Sequence, residues 1–357
     1  MRIGVQAAAL GLAPSDPRHA ETRGLLELLA SSAEEVIFLV PAAAARHVPP
    51  GLQVQPVEMS GSGPRRLKFE VRDAAHLAAG LRADILYCLG ASAPWRSSIP
   101  FVVEETGSEL PDIDGDQRLA SALRRAGAGA AAARLVPSDL PPRGLTGSVR
   151  RVPPAVATRF RAGPGEVPRL DPGRWGVAGD YVLAWPCSQR ALSRLMAGWT
   201  WVDGSLGDSV SLLLLCASET LRAVAMRSAS EMGLQESVRA IVLEDAADLP
   251  VVFRGARAFM GVEAGPIPQV FRWALAAGVP IVGETSTEAE SITGDAAYLV
   301  AQGQTRALGA AALTVLVEDE VAQSLRPKGM ERAKAYDFDN ALRARMDVLR
   351  SVTAGRA

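Results

Sequence analysis

The chain has 357 residues, 48% of them hydrophobic and 22% charged, with a formal net charge of −1. That length suits two domains rather than one. The balanced charge offers no general field for nucleic acid or an anionic membrane, so no nucleic-acid partner is expected. Three well-separated cysteines, Cys88, Cys187 and Cys216, show neither disulfide nor metal spacing, which fits a reducing cytoplasm. Met1-Arg2-Ile3-Gly4-Val5 reads as a strand rather than a signal peptide, and apolar runs such as 212–217 are far too short to cross a membrane. A soluble, cytoplasmic protein is expected, with peripheral attachment at a membrane as the alternative location.

In chain order, short apolar runs alternate with longer helical patterns, twice over. Strands are predicted at Arg2–Ala7, Glu35–Val40, Leu52–Val57, Asp84–Cys88, Pro100–Val103 and Arg134–Pro137. Most are continuous apolar runs, as parallel strands covered on both faces require. Helices are predicted over about 19–32, 67–82 and 116–128, the first with Leu25, Leu26, Leu28 and Leu29 on one face. From Gly144 to Gly179 prolines and glycines interleave without a sustained period, which is linker chemistry.

The alternation then restarts. Strands are predicted at Asp180–Ala184, Ser209–Cys216, Ser237–Leu243, Ala256–Val262, Val279–Val282 and Ala296–Val300. Helices are predicted at Gln189–Trp199 and over about 218–232, 266–277, 304–317, 319–335 and 338–353. Gly278-Val279-Pro280 should end one helix through a left-handed cap and open the next strand. The pattern predicts an α/β chain of two Rossmann-like, doubly wound parallel-sheet domains facing across a cleft. Their expected limits are 1–165 and 179–335, joined by a linker at 166–178 and followed by a C-terminal helix at 336–357.

Several phrases carry a family resemblance. Gly261-Val-Glu-Ala-Gly-Pro-Ile-Pro-Gln-Val-Phe-Arg-Trp-Ala-Leu-Ala-Ala-Gly-Val-Pro-Ile-Val282 resembles the donor-binding segment of retaining GT-B glycosyltransferases of the large family 4. Glu290-Ser-Ile-Thr-Gly-Asp-Ala-Ala-Tyr-Leu-Val300 and Lys328–Ala341 are similar to its later segments, and Ala83–Gly90, Ile99–Val103, Leu135–Ser138 and Arg150–Ala155 to its first domain. In order, these phrases span nearly the whole chain. The resemblance implies a GT-B fold and transfer of a sugar, of hexosyltransferase type and with retention, from a nucleotide-sugar donor to a carbohydrate or lipid-linked acceptor. It implies no metal and no cofactor beyond the donor itself.

The resemblance also names candidate residues. Gly265, Pro266, Ile267 and Pro268 form a loop-to-helix junction suited to cradling a diphosphate, since glycine permits close approach and proline suits the first helical turn. The plain alternative is a strand-to-helix turn. Arg190 stands at the family's lysine position and would clamp the diphosphate, or else is a solvated helix-start arginine. Glu263 is the acidic candidate to hold the sugar and the catalytic candidate, with Glu290 as a further donor-side residue. Glu104 and Glu105 replace the family's His-Asp turn and are the acceptor-side candidates.

The departures are equally specific. The family's first arginine has become Trp185 and its second glutamate Trp273, the latter read as core more readily than as a base-stacking platform. The loop after the first strand, Ala7–Ser15, is small but not glycine-rich. These losses keep a second reading open, a catalytically inactive GT-B scaffold serving a protein partner or a homodimer. Trp175, Trp185, Trp199 and Trp201 would then supply an interaction face, with core packing as the plainer account.

Overall fold

Apolar runs too short to cover themselves assemble into two parallel sheets with helices on both faces. The computed structural model describes residues 1–48, 51–59, 63–90, 93–105, 122, 126–141, 147–161, 171–177, 179–262 and 267–355. The chain divides into two units. The first comprises Met1–Leu12, Arg18–Ala155 and Asp337–Ala357, and the second Ala13–Pro17 and Val156–Tyr336.

In the first unit the strands are β1 (Arg2–Gln6), β2 (Glu35–Pro41), β3 (Gln53–Val57), β4 (Ile85–Leu89), β5 (Phe101–Glu104), β6 (Ala133–Pro137) and β7 (Val149–Val152). They form one sheet in the order β3-β2-β1-β4-β5-β6-β7, every pairing parallel. Helix α1 (Pro17–Ala30) follows β1, and α2 (Gly63–Lys68) and α3 (Ala74–Gly80) precede β4. The predicted helix over 67–82 is not uniform, because a π-turn at Phe69–Asp73 separates α2 from α3. Gly4 lets α3 lie close on the sheet, since a Cβ there would meet the Ala78 Cβ at 3.1 Å. Strand β7 was not anticipated. Its Val-Arg-Arg-Val sequence has two exposed arginines and lacks the apolar run that marks a buried strand. The expected helix over 116–128 falls largely outside the described residues.

In the second unit the strands are β8 (Asp180–Ala184), β9 (Val210–Leu215), β10 (Val238–Ile241), β11 (Ala258–Gly261), β12 (Ile281–Glu284) and β13 (Ala297–Val300). Their order is β10-β9-β8-β11-β12-β13, again wholly parallel. The helices are α4 (Pro172–Trp175), α5 (Gln189–Leu206), α6 (Glu219–Glu231), α7 (Leu249–Arg254), α8 (Pro268–Ala276), α9 (Thr287–Thr293), α10 (Thr305–Val317) and α11 (Asp319–Ala333). Helix α5 runs beyond the predicted end because Trp199 and Val202 continue its buried stripe. Gly278 takes φ +64 after α8, the left-handed cap expected there. The short helices α7 and α9 were not predicted; one turn or two gives too little periodicity to separate a helix from a loop.

The last helix, α12 (Phe338–Thr353), returns to the first unit. Its apolar face joins β1, β2, β4 and β6 residues in a core that contains Ala341, Met346, Leu349 and Val352.

Candidate functional site

In parallel α/β sheets the carboxyl ends of the strands, at the point where strand order reverses, form the natural ligand crevice. The second unit reverses between β8 and β11. Around that edge, Ser188, Ser218 and Ser286 cap α5, α6 and α9 by accepting from Ala191, Leu221 and Ala289 N–H groups. Helix α8 has no such side-chain cap: Ile267 precedes it in an open conformation and Pro268 fills its first turn, both buried. Glu263, Gly265 and Pro266, the remainder of the expected cradle, lie outside the described residues.

Arg190 is exposed in the first turn of α5, which carries no acidic residue. A cation there opposes the helix dipole, so helix stability does not account for it. One turn on, Arg194 donates from Nε to Glu284 Oε1 at 3.1 Å and from Nη2 to the Val262 carbonyl at 3.0 Å. Gly303 N–H also donates to Glu284 Oε1, at 3.0 Å. Arg194 therefore ties the ends of β11 and β12 to α5, and the four-residue spacing puts Arg190 on the same helix face. Arg194 escaped the sequence reading, although its four-residue spacing from Arg190 was a usable signal. Glu290 is exposed on α9.

Where the family resemblance put an arginine and a glutamate, the structure stacks two indoles. Trp185 and Trp273 are each 3% exposed, with ring centroids 5.9 Å apart. Trp273 also stacks on Phe160 at 5.1 Å with an interplanar angle of 5°, and both tryptophans adjoin Phe253. Trp185 Nε1 donates to the Ser15 carbonyl at 3.1 Å, while Ser15 Oγ donates to the Cys216 carbonyl at 2.7 Å. Ser15, on the Ala13–Pro17 segment of this unit, thus closes the ends of β8 and β9. Trp273 is core, as the sequence suggested. Of the four tryptophans considered for an interaction face, Trp199 is fully buried and donates to Ser237 Oγ at 3.1 Å. Trp201 is exposed beneath Arg306, and Trp175 is half-buried beneath Arg174.

In the first unit, Glu104 ends β5 on the face that meets α12. Arg345 donates to it through Nε at 3.0 Å and Nη2 at 2.5 Å, and Tyr87 OH donates to the same carboxylate. Arg345 Nη1 also reaches the carbonyls of Pro153 and Ala341. All three side chains are essentially buried. Burial alone would lower the Arg345 pKa, but Glu104 and Tyr87 outweigh it and the guanidinium is held charged. Burial, followed by the Glu104 charge, pushes the Tyr87 phenol well up. Glu105 is held by Arg134. Glu104 and Glu105 are thus both held by arginines.

On the opposite sheet face of this unit, Gln6 at the end of β1 is 1% exposed, and among the described residues neither its amide nitrogen nor its amide oxygen has a hydrogen-bond partner. Among the described residues, no group of three or more His, Cys, Asp or Glu side chains is disposed to hold a metal, and no helix is long and apolar enough to cross a membrane.

No protein-family model matches the sequence, and no curated protein matches it by sequence. Solved structures do match along the whole length. A sucrose-phosphate synthase from Thermosynechococcus elongatus is 14% identical with a TM-score of 0.71, covering 99% of this chain and 100% of that one. The Anabaena protein HepE in complex with UDP-glucose is 13% identical with a TM-score of 0.72, covering 98% and 100%. WaaG, a glycosyltransferase involved in lipopolysaccharide biosynthesis, is 13% identical with a TM-score of 0.68, covering 98% and 99%. The fold is GT-B: two Rossmann-like parallel-sheet units and a long C-terminal helix.

Proposed function

We propose that the protein is a glycosyltransferase that takes a sugar from a nucleotide-sugar donor and transfers it, with retention, to a carbohydrate or lipid-linked acceptor. The observation that carries this reading is the pair Arg190 and Arg194 on one face of α5. Arg194 is anchored at the carboxyl ends of β11 and β12, with its charge matched by Glu284. Arg190 stands exposed beside it with its charge available. Departure of a sugar leaves negative charge on a diphosphate, and a positioned guanidinium stabilises that charge through paired hydrogen bonds. The fold's likeness to a HepE structure holding UDP-glucose makes a uridine nucleotide the first donor to test.

In this reading Arg190 meets the diphosphate and the junction at Gly265, Pro266, Ile267 and Pro268 cradles it. Glu263 holds the sugar, and Glu290 contributes to the donor side. Glu104 and Glu105 shape the acceptor side as braced carboxylates rather than as groups that meet the acceptor. A second reading, an inactive scaffold acting through a protein partner, draws on the buried Trp185–Trp273 stack at the two positions where the resemblance implied charged groups.

Titrating the purified protein with UDP, GDP, ADP, TDP and UDP-glucose separates the two. Saturable binding of one nucleotide, weakened about tenfold or more in Arg190→Ala, is the expected result. Unchanged affinity in that variant would remove Arg190 from the site. No nucleotide binding at millimolar concentrations would favour the scaffold.

A further inference from the structure

We propose that the edge strand β13, with the flank of α10 beside it, is the surface through which two copies of this chain pair antiparallel about a two-fold axis. Among the described residues the two sheets have four edges, β3 and β7 in the first unit and β10 and β13 in the second. An edge strand offers unpaired N–H and C=O groups to any other chain, and native edges are commonly blunted by proline or charge. Strand β3 carries the exposed Pro56, and β7 the exposed Arg150 and Arg151. On β10, Arg239 donates to the carbonyls of Gly176 and Gln235. Strand β13, Ala-Tyr-Leu-Val, has neither device.

The lack of charge extends well beyond the strand. From Ala296 to Val317, through β13 and α10, the one charged residue is Arg306, in a chain that is 22% charged. Arg306 is turned over the Trp201 ring of α5, 4.8 Å from its centroid, and Gly309 also meets Trp201. Helix α10 packs on β12, β13 and α5, so its flank away from Trp201, with Ala307 and Thr314, lies toward the sheet edge. Ala307 is exposed and Thr314 half-buried, and both are small enough to let a second helix approach. Tyr298 on the strand is 41% exposed.

The backbone supplies the register. Thr285 N–H donates to the Val300 carbonyl at 2.7 Å, so Val300 and Tyr298 turn their backbone groups to β12. Those of Ala297 and Leu299 therefore point outward, away from the sheet. A two-fold at Leu299 lets this residue exchange both backbone hydrogen bonds with its counterpart in the second copy. It also sets Tyr298 of each copy opposite Val300 of the other, on the face that α10 covers, because Val300 packs on that core. An aromatic opposite a β-branched residue favours an antiparallel pair. A two-fold brings the groups near its axis against their own kind, so a charge there would repel its counterpart. An uncharged edge is therefore suited to a second copy of this chain. In the same register Asp295 falls opposite the uncharged Gly303 rather than opposite itself.

Sedimentation equilibrium of the full chain without nucleotide, over about 1–200 μM, tests the pairing. The mass of the parent should rise with concentration toward twice 37.5 kDa. Tyr298→Glu and Tyr298→Lys, at an exposed position, should each weaken self-association about tenfold or more through like charge near the axis. Mixing the two variants should restore the dimer, because opposite charges then meet; misfolded chains would not recover. Arg150→Glu, on the β7 edge, should leave association unchanged. A parent that stays monomeric would overturn the proposal and leave β13 to a strand from another protein. Dimers that persist in both Tyr298 variants would place the interface elsewhere, and a monomeric mixture would overturn the two-fold at Leu299. None of these outcomes depends on nucleotide binding or on Arg190.

Discussion

The two units share one strand order, apart from the extra edge strand β7 of the first, and treat the point where that order reverses in opposite ways. In the second unit the strand-order reversal between β8 and β11 is closed by aromatic packing, with Trp185 at the end of β8 stacked on Trp273. In the first unit, β1 ends at the corresponding reversal with Gln6, a buried amide without a partner among the described residues. Trp185 needs no further partner there, because its one polar atom, Nε1, donates to the Ser15 carbonyl. An unpartnered amide is costly unless something else completes it. One crevice is therefore finished by aromatic packing, while the other keeps a buried amide without a partner among the described residues.

The sharpest way to break that contrast is to unseal the second unit. Trp273→Ala removes a side chain that packs on Trp185, Phe160 and Phe253. A loss of about 3–5 kcal/mol is expected, as for buried Trp-to-Ala changes generally. Denaturant unfolding would show it, and a loss under 1 kcal/mol would mean that the stack is dispensable. In the first unit the matching test is Arg345→Met, which leaves the Glu104 carboxylate buried without its cation. That should cost about 3 kcal/mol, near the lower end for breaking a buried pair. Pairing Arg345→Met with Glu104→Gln should restore part of the loss; no recovery would mean that Arg345 acts mainly through the Pro153 and Ala341 carbonyls.

Much of the architecture was legible because parallel strands advertise themselves as unbroken apolar runs, as in Leu212 to Leu215 or Ile85 to Leu89. Strand β7 escaped because two of its four residues are exposed arginines. The site was less legible, and for a physical reason. Sequence spacing placed Arg190 at the start of α5, but the ties from Arg194 to Glu284 and Val262 join residues 90 and 68 positions apart. Glu104 read as a free acceptor-side carboxylate because its partner Arg345 is 241 residues away. A single arginine among Leu342, Met346 and Leu349 on one helix face was the available hint. The unpaired state of Gln6 depends on every neighbour at once and leaves no local trace.

A smaller effect tests the open side of the comparison directly. With no ligand bound, Gln6→Met removes an unsatisfied buried amide, so the first unit should gain about 1 kcal/mol. Thermal unfolding of the unliganded protein measures it. A loss of similar size would mean that the amide is already satisfied, and the contrast with the sealed second unit would then weaken.

The smallest expected effect concerns how α12 is tied to the first unit at its surface. Arg350 donates to Glu34 Oε1 from Nε at 3.1 Å and Nη2 at 3.0 Å. The Glu34 carboxyl is held below its usual value of 4.5, first by the hydrogen bond from the Met1 ammonium and then by that from Arg350. A carboxylate with a depressed folded pKa stabilises the native state above its unfolded value, and that contribution is lost as pH falls through the folded one. Both partners are at or near the surface, so salt screens the interaction and its size is modest. Melting temperatures taken from about pH 6 down to about pH 3 should therefore fall slightly more steeply for the parent than for Glu34→Gln, and the gap should narrow in high salt. Parallel curves would show that the pair contributes nothing and that α12 is held by its apolar face and Arg345 alone.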